Sequence, residues 1–87
     1  MGNVILIPAY NPDDKLIRLI DELIFLKIPI VVVNDGSDKC FNYIFEIIKS
    51  KSRVKVINHE INWGKGAALK TGIKYIMENY KECTGIV

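Results

Sequence analysis

The sequence predicts a three-layer α/β fold, one parallel sheet with helices on both faces. Three segments carry the prediction, each running from apolar residues through a short polar turn into an amphipathic helical pattern. They are residues 4–7 into Pro8-Ala9-Tyr10-Asn11-Pro12, residues 30–33 into Asn34-Asp35-Gly36-Ser37-Asp38, and residues 54–57 into the stretch from Asn58 to Gly66. Strands joined by helices run parallel, so the three turns converge on one edge of the sheet, where open parallel sheets bind ligands. A fourth strand begins at Gly85-Ile86-Val87. A right-handed crossover places it most economically beside strand one, which gives the Rossmann-like order 3-2-1-4 with a crevice where the winding reverses.

Each element has its own justification. Strand one, residues 3–7, is expected to stop at Pro8. Asn11 is the expected N-cap of helix one, with Pro12 in its first turn and Asp13 and Asp14 favouring the positive end of the helix dipole. Leu16, Ile20, Leu23 and Ile24 recur at helical spacing, and the helix ends before Pro29. Strand two, residues 30–33, is β-branched without alternation, as befits a strand covered on both faces in mid-sheet. Ser37 or Asp38 is the expected cap of helix two, whose Phe41, Ile44, Phe45 and Ile48 fall on one face. Strand three, residues 53–57, alternates charged and apolar residues, as at a sheet edge with a wetter face. A loop follows from Asn58 to Trp63. In helix three, Leu69, Ile73, Ile76 and Tyr80 form the expected buried stripe.

Composition bounds the function. The 87 residues, 49% hydrophobic and 25% charged, read as one small globular domain spanning residues 1–87. A net charge of +2, with lysines spread along the chain, gives no argument for nucleic acid. The longest apolar run, residues 28–33, is far below the roughly 18 residues of a membrane span. Cys40 and Cys83 lack metal-ligand spacing and read as free thiols in a reducing compartment, Cys40 buried, so a cytoplasmic location is expected.

Three turns hold the candidate chemistry. Asp35 follows directly on a buried strand, and as an acceptor-only group it can take hydrogen bonds from a base edge or a ribose. Ser37 and Asp38 read more readily as turn and cap residues. Pro8, Ala9 and Tyr10 set an aromatic ring on a stiff turn, a shape able to hold a flat heterocycle. Gly64, Lys65 and Gly66 open helix three, where backbone N–H groups, the helix dipole and an ammonium can face an anion. The stretch matches neither a Walker loop nor a G-x-G-x-x-G fingerprint, because Leu69 stands where each needs glycine. His59, the single histidine, is expected on a solvated loop without a partner.

At these residues the chain resembles the family 2 glycosyltransferases of GT-A fold, including the dolichyl-phosphate mannose or glucose synthase-like branch. The matching pieces are Ile7-Pro8-Ala9-Tyr10-Asn11, Val33-Asn34-Asp35-Gly36-Ser37 and Asn62-Trp63-Gly64-Lys65-Gly66-Ala67-Ala68, in the family's order. The resemblance implies a truncated GT-A fold that binds a UDP- or GDP-linked sugar and belongs to an inverting transferase. It implies that Pro8, Ala9 and Tyr10 line the nucleoside pocket, that Asp35 bonds the base edge, and that Gly64 and Lys65 lie near base or ribose, with Asp38 a weaker member. The family's acidic metal-binding motif and catalytic base lie beyond the strand that starts at Gly85. Mg²⁺ or Mn²⁺ is therefore expected only for the full-length family domain, and the piece alone is expected not to transfer sugar. The alternative is a non-catalytic nucleotide-binding module, or one that self-associates as a homodimer through the open sheet edge.

Overall fold

The computed structural model describes residues 2–87. Four parallel strands, β1 (Asn3–Ala9), β2 (Ile30–Asp35), β3 (Val54–His59) and β4 (Gly85–Ile86), form one sheet of order β3-β2-β1-β4, as the crossover argument requires. Between them run α1 (Asp14–Ile24), a 3₁₀ turn (Lys39–Phe41) leading into α2 (Asn42–Lys49), and α3 (Lys65–Asn79). Helices α1 and α2 cover one face and α3 the other.

The alternation of side chains along β2 builds both cores at once. Ile30 and Val32 pack with Ile5, Leu16, Ile20, Ile44, Phe45 and Ile48 beneath α1 and α2. Val31 and Val33 pack with Val4, Ala68 and Ile76 beneath α3. All six residues of β2 are buried, so this strand needs apolar side chains of either parity.

Strand β1 runs on through Pro8, which pairs in register with Val33, although the sequence suggests a stop there. The backbone explains the tolerance. Ile5 N–H donates toward β2, to Pro29, whereas Leu6 N–H donates toward β4, to Val87. Pro8 has the parity of Leu6, so its missing N–H faces the β4 side, where β4 pairs only with Asn3 and Val4.

Helix caps differ from expectation. Asn11 lies at φ +47° outside α1, and Asp13 caps the helix, its Oδ1 accepting from Lys15 N–H at 2.9 Å. Neither Ser37 nor Asp38 caps α2 through its side chain. The 3₁₀ turn intervenes, and Cys40 on it is exposed, not buried; Cys83 is half-buried, and both are free thiols. In α3 the buried residues are Ala68, Gly72 and Ile76, while Ile73 faces solvent. A Cβ at Gly72 would overlap the Leu6 side chain. Small residues thus bring α3 close to β1, and the stripe lies a step round the helix from the one that the bulky residues suggest.

Candidate functional site

The C-terminal ends of β1, β2 and β3 are longer than their apolar runs. Asn34, Asp35, Asn58 and His59 are strand residues, and in register Asn34 stands opposite Asn58 and Asp35 opposite His59. Strand alternation then sends the two pairs to different faces. Asn34 Nδ2 donates to Asn58 Oδ1 at 2.9 Å on the α1–α2 side, and Asn34 Oδ1 accepts from Ser37 N–H at 3.0 Å. Asp35 and His59 share the α3 side with Val31 and Val33.

Asp35 is nearly enclosed, with its side chain 5% exposed. Its Oδ1 lies 2.8 Å from His59 Nδ1 and accepts from Trp63 N–H at 3.0 Å, and its Oδ2 accepts from Gly64 N–H at 2.8 Å. The hydrogen bond to His59, followed by that from Trp63, holds the Asp35 carboxyl below its ordinary range against the opposing effect of desolvation. The N–H groups of Trp63 and Gly64 are therefore turned onto the Asp35 carboxylate and not toward an anion from outside the chain; Gly64 N–H is shared with Asn62 Oδ1 at 2.9 Å.

His59 is not a solvated loop residue. It ends β3, its side chain is 12% exposed, and its Nε2 lies 2.8 Å from Thr71 Oγ1 of α3. One signal for it was present in the sequence. Aligning strand two on strand three with Ile30 opposite Val54 carries Asp35 onto His59.

Gly36 makes the turn possible. Its φ of +71° is a conformation that L side chains rarely adopt, and a Cβ there would overlap the backbone of Ile61 and Asn62. The loop after β3 is thereby seated directly on the β2 turn, which brings Asn62, Trp63 and Gly64 to Asp35.

Along this edge lies a cleft of about 560 Å³ lined by Pro8, Ala9, Tyr10, Asp35, Asn62, Gly64, Lys65 and Ala68. Of the residues that the sequence singles out, Pro8, Ala9, Tyr10, Asp35, Gly64 and Lys65 meet here. Asp38 does not. It is exposed outside the cleft, its backbone N–H donating to Asn11 Oδ1 at 2.9 Å. Asn62 and Ala68 are lining residues that sequence reasoning did not select. The Tyr10 ring is half exposed, and Lys65 stands at the first position of α3. Chemically the cleft offers an aromatic face, a carboxylate with unused acceptor capacity, and a cation. Among the described residues no group of three or more His, Cys, Asp or Glu could hold a metal ion.

Strand order, helices on both faces and a cleft at the C-terminal edge define an open, doubly wound α/β domain. Comparison with known proteins gives the family. The profile of glycosyl transferase family 2 matches residues 4–80, and the chain belongs to that family. Its α/β fold agrees with the GT-A, Rossmann-like architecture over the part that these residues cover. The chain is 40% identical over 82 residues to an uncharacterized glycosyltransferase of Synechocystis sp., covering 86% of this chain and 26% of that protein. It is 32% identical over 84 residues to a dolichyl-phosphate beta-glucosyltransferase of Trichomonas vaginalis, covering 83% and 26%. It is 31% identical over 86 residues to a poly-beta-1,6-N-acetyl-D-glucosamine synthase of Staphylococcus epidermidis, covering 94% and 21%. The chain thus spans about a quarter of the length of these curated relatives. No helix among the described residues is long and apolar enough to cross a membrane.

Proposed function

We propose that these residues form the part of an inverting family 2 glycosyltransferase that holds the nucleoside diphosphate of a UDP- or GDP-linked sugar, in a cytoplasmic protein. The observation that carries the reading is the single cleft shared by Tyr10, Asp35 and Lys65. A carboxylate can only accept, so its complement on a base is an N–H donor, which uracil offers at ring N3 and guanine at N1 and N2, whereas cytosine and adenine offer only an exocyclic amine beside a ring-nitrogen acceptor. The Tyr10 ring supplies a stacking face of a kind worth about 1–3 kcal/mol per base in single-stranded nucleic-acid sites. Lys65 supplies positive charge on the ribose and phosphate side. The names of the relatives support a hexose as the group transferred.

Transfer requires a stabilised diphosphate leaving group and a base for the acceptor hydroxyl. In this reading the cleft supplies neither, so residues 1–87 by themselves bind nucleotide and do not turn it over. Isothermal titration calorimetry with UDP, GDP and CDP tests the proposal. UDP or GDP binds more tightly than CDP, and Asp35→Ala weakens the preferred nucleotide by about tenfold or more, as removal of a hydrogen bond to a charged group does. Equal binding of all three nucleotides, or an Asp35→Ala protein that binds as the parent does, contradicts it.

A second property belongs to the alternative reading, self-association at β4. Ile86 of β4 is 40% exposed and Val87, which follows the strand, 70% exposed, at an edge of the kind that pairs with a second copy. Sedimentation equilibrium separates the two readings, since a dimer of this kind is indifferent to nucleotide.

A further inference from the structure

Asp35 carries three donors on two oxygens, and their distribution is uneven. Oδ1 faces His59 Nδ1 and Trp63 N–H, whereas Oδ2 has Gly64 N–H. A carboxylate oxygen accommodates about two donors. Oδ1 is therefore filled by the protein, and Oδ2 retains one acceptor position. Which oxygen is left over is decided by His59.

The imidazole itself has no freedom. Because Asp35 is acceptor-only, Nδ1 must carry the hydrogen of the contact with Oδ1, so in the neutral ring Nε2 is the acceptor and the hydroxyl of Thr71 donates to it. Both nitrogens are engaged at 2.8 Å, one by β2 and one by α3, with the ring nearly buried between them. A fully satisfied, buried polar network of this kind is rigid. Without the ring, Oδ1 keeps only Trp63 N–H and Oδ2 only Gly64 N–H, so each oxygen has one free acceptor position and the choice between them is lost.

We propose that His59 is a positioning residue for nucleotide recognition. With its tautomer set by Asp35 and its ring held in place by Thr71, it locks the Asp35 carboxylate so that Oδ2 alone is offered to the ring N–H of a uracil or guanine. The inference rests on the nucleotide reading above and adds to it residues that lie outside the cleft lining.

His59 is the single histidine of the chain, so its ring signals in a long-range ¹H–¹⁵N spectrum need no assignment. The expected spectrum is that of the Nδ1–H tautomer. An Nε2–H tautomer overturns the proposal. Calorimetry then uses UDP and GDP as probes on the whole chain. His59→Phe fills the space without donors and weakens binding by about tenfold or more. His59→Asn, whose amide nitrogen can stand near the position of Nδ1, recovers affinity to within about threefold of the parent. Binding unchanged in His59→Phe, or no recovery in His59→Asn, overturns the positioning role while leaving the nucleotide reading intact. A parent chain that binds neither nucleotide overturns both. Should His59→Phe not fold, Thr71→Val decides: affinity reduced by about threefold or more with the Nδ1–H tautomer kept supports the role, and unaltered affinity overturns it.

Discussion

The backbone N–H of Asn11 donates a 2.8 Å hydrogen bond to Oγ of Ser37, twenty-six residues away. The contact is reciprocated, since Asp38 N–H donates to Asn11 Oδ1 at 2.9 Å. Two turns from neighbouring strands are thereby clasped through one asparagine. Asn11 takes φ +47°, a region that asparagine tolerates better than most residues. Because Asn11 follows Tyr10, the clasp also fixes where the aromatic wall of the cleft stands.

Ser37→Ala removes one half of the clasp and is expected to lower stability by about 1 kcal/mol. Asn11→Ala loses the other half and places alanine at positive φ, so it is expected to lower stability by about 2 kcal/mol. Urea denaturation followed by circular dichroism measures both. A ranking in which Ser37→Ala is the more damaging would contradict the clasp.

Gly36→Ala places a methyl group against the Ile61 and Asn62 backbone at a φ of +71°. Strain and overlap each contribute on the order of 1–3 kcal/mol, which for a domain of this size is a large part of its stability. The expected outcome is a protein with a markedly lowered melting temperature. Gly2→Ala, where nothing lies within 4 Å, is the neutral control.

Helix α3 distinguishes two isoleucines. Ile76 is 1% exposed in the core, and Ile76→Ala is expected to lower stability by about 2–5 kcal/mol. Ile73 is 39% exposed, and Ile73→Ala is expected to change stability by about 0.5 kcal/mol or less. Equal effects of the two substitutions would place the buried face of α3 where the bulky residues suggest it.

Acid should unfold the protein partly through Asp35. Its folded pKa lies below its ordinary value of 3.8, so its stabilising contribution is complete above that value and is lost as pH falls through the folded pKa. Urea midpoints measured from about pH 6 down to about pH 2 therefore fall, and in Asp35→Asn they fall less steeply over the acid limb. The asparagine protein also starts from lower stability at neutral pH, because its amide cannot accept from Gly64, His59 and Trp63 together.

The sheet order was legible in the sequence because handedness leaves few ways to arrange three crossovers, and residues 30–33 declare a strand enclosed on both faces. The residues around the cleft were legible as separate turns, since glycine, proline and aspartate after an apolar run are local signals. What depended on register was harder to see. His59 meets Asp35 only when β2 and β3 are aligned, and meets Thr71 only when α3 lies over that face. The buried stripe of α3 was displaced because Gly72 and Ala68 fill close space that hydrophobicity assigns to larger neighbours. Asn11, read as a helix cap, is drawn away by Ser37 and Asp38, a partnership that no sequence spacing announces.

Strand β2 is paired with β3 from Ile30 to Asp35 and with β1 from Ile30 to Asn34 and is buried at every residue, whereas β4 touches β1 at two positions. The amides of residues 31–33 should therefore be the last to exchange with deuterated solvent, doing so only when the whole molecule opens. Those at the β4 margin should exchange through local fraying. Asp35 is thus rooted in the slowest-opening strand, and its backbone keeps its place through every partial opening that leaves β2 intact.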